Sequence, residues 1–331
     1  MALSATRCLS LKLEKACILC CVSLLDKLLV VGSTGLVGSK IASLAHGYEF
    51  ETYNTHNSRP SPFPNSTKLD ITDRDATMTL LAKIRPYAII NVAALTNVDY
   101  CETHKEEAER VNVGGATSLA DAARQNNSRF VHVSTDSVFD GTYGHYTEDD
   151  MPNPINHYSK TKLDSETVVA QLLSYAIARP SVVYGWHARV GRTPSGSTKA
   201  MNFAMFVLDR LGKSEPVRVV RDQYSSPTFA DNLAHSLLRL ARLTENGIFH
   251  TAGRSCLSRY EFALLLAKIF GYPPDLVQPV STGEFDQAAQ RPKNCCLRVE
   301  KAEKALKMHF LTAQEGLIEM KKQARSKPND R

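Results

Sequence analysis

Short apolar runs alternate with longer amphipathic ones through the first half of the chain. Leu28-Leu-Val-Val31 is brief, β-branched at its end and stopped by Gly32, the pattern of a strand buried on both faces. Beyond Gly38, the residues Ile41, Leu44 and Ala45 recur at helical spacing. Tyr48 to Tyr53 reads as a second strand; a Pro/Ser/Asn-rich loop from Ser58 to Ser66 then leads through Leu69-Asp-Ile-Thr-Asp73 into an amphipathic helix. That helix must end before Pro86, whose ring would clash with the preceding turn. Tyr87 to Asn91 predicts another buried strand, Glu102 to Gln125 one long helix, and Arg129 to Thr135 a strand ending in two hydroxyls. Strands alternating with helices predict an α/β fold, a parallel sheet wound on both faces.

The junction between the first strand and its helix carries the first candidate chemistry. Gly32, Gly35 and Gly38 stand there in a G-x-x-G-x-x-G spacing. Glycines let the backbone turn sharply and approach a pyrophosphate, while the helix N-terminus offers unpaired N–H groups to the anion. The spacing therefore predicts a Rossmann-type dinucleotide cradle formed by Gly32, Thr34, Gly35, Leu36, Val37 and Gly38. The second strand closes on Tyr53, Asn54, Thr55 and His56 without the carboxylate that would hold a ribose 2′-hydroxyl, and Arg59 follows. This favours NADPH, with NADH as the alternative. Asn91-Val-Ala-Ala-Leu-Thr96 is mostly small, as close approach of a cofactor requires.

Further on, Ser134-Thr-Asp-Ser-Val-Phe-Asp-Gly141 is followed by Asn156-His-Tyr-Ser-Lys-Thr-Lys162 and a helical pattern. Tyr158 and Lys162 are four apart and share a helix face. A tyrosine of ordinary pKa, about 10, is a poor acid near neutrality. A lysine ammonium one turn away favours the phenolate and should lower that value, suiting the pair to protonate a carbonyl as it is reduced. Thr135, at a strand end, is placed to hydrogen-bond the same oxygen.

In this order, the glycine turn, Leu69-Asp70, Asn91-Val-Ala-Ala94 with Thr96 and Val98-Asp99, Ser134-Thr-Asp136, Val138-Phe-Asp-Gly141 and Tyr158-Ser-Lys-Thr-Lys162 resemble the extended short-chain dehydrogenase/reductases. Within them the chain is most similar to the dTDP-4-dehydrorhamnose reductase family, through Ala178 to Gly185, Asp222 to Thr228, Gly247 to Gly253, Ser258 to Glu261 and Gln290 to Asn294. The resemblance covers about Lys27 to Leu306. It implies a triad of Thr135, Tyr158 and Lys162, with Lys162 also on the nicotinamide ribose. Asp70 and Ile71 would lie on the adenine side, with Ala93, Ala94 and Thr96 along the cofactor. It further implies a nucleotide-sugar substrate, a 4-keto-6-deoxy sugar reduced at C4, touched by Val98, Asp99, Asp136 and Arg291. A guanidinium at 291 suits a phosphate. The family pattern usually has a tyrosine where this chain has Ser137, which removes a ring near the substrate. Two other readings share the resemblance. One is a regulatory β-type subunit that binds the catalytic subunit of methionine adenosyltransferase; the other is a sugar-nucleotide epimerase or dehydratase.

The remainder changes the picture less. The 331 residues are 43% hydrophobic and carry a net charge of +6 without a basic block, which argues against nucleic acid. Residues 27–185 are expected to form the NAD(P)-binding domain and 186–315 a smaller substrate lobe partly interleaved with its sheet. A polar tail is expected over 316–331. Arg189 to Thr198 reads as a substrate lid whose Arg189 and Arg192 could meet a diphosphate. Residues 1–26 read as a disordered extension; their apolar run, Ala16 to Leu25, is far short of the ~20 residues that span a bilayer. A cytoplasmic protein is expected, with an organellar transit peptide in residues 1–26 as the alternative, no membrane partner, and a homodimer allowed. Of eight cysteines, the adjacent pairs Cys20-Cys21 and Cys295-Cys296 read as packing residues rather than disulfides, and no cysteine–histidine spacing suggests a metal.

Overall fold

The computed structural model describes residues 25–187 and 201–326. Most of the extension and the whole of the expected lid, Arg189 and Arg192 included, therefore lie outside the described residues.

Seven parallel strands form the central sheet: β1 (Asp26–Val31), β2 (Phe50–His56), β3 (Ser66–Lys68), β4 (Ala88–Asn91), β5 (Arg129–Val133), β6 (Tyr175–Arg179) and β7 (Gly247–His250). Their order is β7-β6-β5-β4-β1-β2-β3. The middle strands are buried on both faces, as continuous apolar runs require. Asp26, placed by the sequence in the extension, already pairs with Phe50, and its carboxylate holds Arg242. The winding reverses between β1 and β4, which pair from Leu28–Ala88 to Val31–Asn91. A crevice at the carboxyl ends of these two strands is where such a sheet receives its ligand.

On one face, α1 (Leu36–Leu44) packs against α8 (Ala230–Arg242). On the other lie α2 (Arg74–Ile84), α5 (Gly115–Asn126) and α6 (His157–Val169). The long helix expected over 102–125 is not continuous. α3 (Val98–Thr103) and α4 (Lys105–Glu109) are separated at His104, and a π-helical turn, Arg110–Gly114, joins α4 to α5. Such turns are common at functional sites. This one projects Asn112 between the tail of β4 and α6, where its amide bonds Leu95 N at 2.8 Å, Leu95 O at 3.1 Å and Thr161 Oγ1 at 3.0 Å.

A second core gathers α7 (Phe203–Gly212), α9 (Arg259–Phe270), α11 (Ala313–Ser326) and a parallel pair, 217–220 with 277–280. α10 (Glu300–Leu306) returns to the first core. Two expectations are corrected here. The tail expected from 316 is helical to Ser326: Ala313, Leu317 and Met320 make a fully buried stripe at i, i+4 and i+7, narrow enough to be hidden among the surrounding charges. Cys296 is bonded to Cys256, forty residues away, because residues 257–258 pair with 224–225, which in turn lie beside Asn294. The expectation that Cys295 and Cys296 are both packing residues holds for Cys295, which is free and buried, and not for Cys296. No described helix is long and apolar enough to cross a membrane.

Candidate active site

The crevice beyond β1 and β4 is a cavity of about 380 Å³. Its floor is backbone and small side chains: Gly32, Thr34, Gly35, Ala93 and Ala94 all line it, together with Asp70 and Ile71. Gly32 has φ +87°, and a Cβ there would lie 3.2 Å from Ala93. A Cβ on Gly38 would lie 2.3 Å from Gly32 O, so Gly38 serves the close packing of α1 on the turn. Gly35 differs: a Cβ would meet only Gly32 O at 3.4 Å, leaving its side of the cavity clear for a ligand. Leu36 and Val37 open α1, whose N-cap, Gly35, makes no side-chain hydrogen bond. At the far wall stand Thr55, His56, Ser58 and Arg59 without a carboxylate. Thr96 is exposed and does not line this cavity.

Asp70 accepts hydrogen bonds from Thr72 N at 2.9 Å and Thr72 Oγ1 at 2.8 Å, which hold its carboxyl below the ordinary range. Glu107 and Arg110 complete the cavity wall; neither follows from strand and glycine patterns, because the helical break and π turn that present them have no sequence signature.

The second group of residues is built from buried side chains. α6 starts at Asn156, whose Oδ1 caps Ser159 N at 2.9 Å, and the helix then carries Tyr158 and Lys162 towards the end of β5. Thr135 follows β5, donating to Asp136 Oδ1 at 3.0 Å and accepting from Ser137 N at 3.2 Å. Ser137 Oγ stands 3.1 Å from Thr135 Oγ1 and accepts from Ser159 Oγ at 2.9 Å. Ser137 is thus wired to the Thr135 hydroxyl. Asp136 also accepts from Ser181, and burial raises its pKa against those two hydroxyls.

Burial, with the Asp136 charge second, pushes the Tyr158 phenol up, while a hydrogen bond with Thr135 acts the other way. The expectation that Lys162 lowers the tyrosine is not met in this state. Lys162 is itself buried, held down to about 8 by desolvation, and its Nζ lies 3.1 Å from His132 Nε2. Tyr158 is therefore a protonated phenol, which is the form a proton donor needs.

Val98 and Asp99 open α3. Asp99 accepts from Ala289 N at 3.0 Å and pairs with Arg291 at 2.7 Å; against the effect of burial, these bonds keep its carboxyl below the usual range. Arg291 joins Arg221, Tyr224 and Asn294 around a second hollow of about 780 Å³, which adjoins the loop Asp140–Thr142. Arg259, the first residue of α9, lies over the Phe203 ring and faces both Asp136 and Arg291. Its guanidinium makes no ion pair among the described residues, and residues 188–200 carry no carboxylate.

The chain has relatives among known proteins. The family described as RmlD substrate binding domain matches residues 26–326. A dTDP-4-dehydrorhamnose reductase of Aggregatibacter actinomycetemcomitans is 32% identical over 84% of this chain and 92% of its own. The methionine adenosyltransferase 2 subunit beta of Mus musculus is 30% identical over 84% of this chain and 81% of its own. A crystal structure of the Bacillus anthracis dTDP-4-dehydrorhamnose reductase in complex with NADP superposes with a TM-score of 0.79 at 27% identity, covering 90% of this chain and 99% of that one.

Proposed function

We propose, from the premise that this chain belongs to the RmlD substrate-binding-domain family and is an NAD(P)-dependent oxidoreductase, that it reduces the C4 ketone of a nucleotide-linked 4-keto-6-deoxy sugar. The observation that carries this reading is the partly buried Tyr158 on α6, one turn before Lys162 and beside the Thr135 hydroxyl at the end of β5. NADPH, when bound, supplies the hydride. The turn at Gly32 and the clear face at Gly35 fit its pyrophosphate, Asp70 and Ile71 its adenine side, and Ala93 and Ala94 its length, with Thr96 beyond the cavity. Arg59, with no carboxylate beside it, favours a 2′-phosphate, hence NADPH over NADH.

Tyr158 then gives its proton to the developing alkoxide while Thr135 holds the same oxygen. Lys162 holds the nicotinamide ribose and balances the phenolate left behind. Val98, Asp99 and Asp136 face the sugar, and Arg291 and Arg259 its diphosphate. A cytoplasmic location goes with this reading.

With dTDP-4-keto-6-deoxy-L-mannose and NADPH deuterated at the transferable position, the sugar product should carry deuterium at C4. Tight NADPH binding without any turnover of nucleotide sugars would overturn the reading. The kinship with the methionine adenosyltransferase subunit would then make a partner-binding role the one to test, by co-purification with the catalytic subunit.

A further inference from the structure

His132, in the middle of β5, is 1% exposed and has no place in the triad. Its ring has three polar neighbours. Nδ1 lies 3.3 Å from Asn91 Nδ2, and Nε2 lies 2.9 Å from Ser165 Oγ and 3.1 Å from Lys162 Nζ. Proton positions follow from what those neighbours do elsewhere. Asn91 Oδ1 accepts from Ala93 N at 3.1 Å, so its amide turns Nδ2, a donor, towards the ring. Nδ1 must then hold a lone pair. Ser165 spends its own proton on Lys162 O at 2.7 Å, leaving only acceptor capacity for Nε2. The neutral ring thus carries its proton on Nε2. Burial and the neighbouring lysine both keep it neutral.

An ammonium at Lys162 therefore meets an N–H where it would need a lone pair, whereas a neutral amine could accept from it. We propose that His132, locked as the Nε2–H tautomer by Asn91 and Ser165, is a positioning residue that opposes the charge on Lys162 and limits how firmly it holds its proton. This rests on the reading of Lys162 as part of a reductase centre.

The other groups around the lysine do not cancel the effect. Glu166, one turn on, favours the ammonium but is paired in bidentate fashion with Arg179 on β6, at 2.9 and 2.6 Å. Asp136 and, from α3, Cys101 act on Tyr158. On the α5 side Asn112 bonds Thr161, and both are neutral. Glu102 and Glu109 engage His157 at the helix start.

The test combines two measurements. In the apo protein, ¹⁵N-resolved imidazole NMR should find His132 as the neutral Nε2–H tautomer across neutral pH; an Nδ1–H ring or an imidazolium overturns the proposal whether or not the protein turns anything over. In the pH profile of kcat/KM for ketone reduction, activity should fall on the alkaline side near the lysine's value, about 8. His132→Leu, which removes the N–H, should move that limb up by roughly one pH unit, while His132→Gln, which can still donate, should leave it close to wild type. An unmoved limb in folded His132→Leu contradicts the proposal. If no nucleotide sugar is reduced at all, the reductase reading fails separately. The same shift is then sought in the pH dependence of NADPH affinity, read by nicotinamide fluorescence, and its absence there is equally contrary.

Discussion

The two halves of the candidate site are made of different materials. The cofactor crevice is mostly backbone: a turn at Gly32, a clear face at Gly35, small residues after β4. The proton-transfer face is mostly side chains, in two hydrogen-bonded groups, Thr135 with Asp136, Ser137 and Ser159, and Lys162 with His132, both almost closed to water. A backbone site tolerates changes that add nothing to its open face. A buried polar network tolerates few, because each lost partner leaves another group unsatisfied in a medium of low dielectric. Substitutions on either side should therefore fail in different ways.

The largest effect is expected at the centre of the side-chain half. Tyr158→Phe removes the proton donor but no backbone contact with a nucleotide, so kcat should fall by about a thousand-fold or more while NADPH affinity changes by no more than about three-fold. Steady-state rates beside fluorescence titration would show it. Next comes the backbone half. Gly35→Val places atoms where only a ligand would sit, so NADPH affinity should drop on the order of a hundred-fold with the melting temperature nearly unchanged. Gly38→Ala should do the reverse, lowering the melting temperature through its 2.3 Å clash with Gly32 O before cofactor affinity is even measured. If Gly35→Val unfolds the protein, the distinction between the two glycines is wrong.

The buried pair Glu166–Arg179, with side chains 3% and 1% exposed, offers a third comparison. Glu166→Gln leaves a guanidinium without its carboxylate and should cost about 3 kcal/mol in chemical denaturation. The smallest effect has the opposite sign. Lys162 is held down to about 8 by burial, so between that pH and its unfolded value near 10.4 the unfolded chain binds more protons. Stability attributable to it therefore rises with pH through that window, and below about 8 the lysine is a full burden on the fold. Lys162→Met should raise the melting temperature by a few degrees at pH 7 and abolish turnover, and the gain should shrink by pH 10. A variant that melts lower at pH 7 would mean that Glu166 repays the lysine's burial.

What could be read from the chain follows the same division. The glycine spacing, the alternation of strands and helices and the Tyr158–Lys162 step are local in sequence, and the sheet order and the α6 placement agree with them. Contacts across long separations could not be read. The Cys256–Cys296 bond, the Asp99–Arg291 pair and the apposition of His132 and Lys162 each join segments that meet only once the sheet is assembled. α11 escaped for a different reason: a three-residue stripe is enough to seat a helix whose other faces are charged. The direction of the Tyr158 shift is not legible in the sequence, because helical spacing gives the distance between two side chains and not the water each has lost.

The most direct test is NADPH oxidation followed by absorbance with dTDP-4-keto-6-deoxy-L-mannose, wild type against Tyr158→Phe at matched cofactor saturation. Oxidation that depends on the sugar nucleotide and vanishes in the variant is the predicted result. Equal oxidation by both proteins, or none by a wild type that binds NADPH tightly, would contradict the assignment of Tyr158 as the proton donor of a sugar-nucleotide reductase.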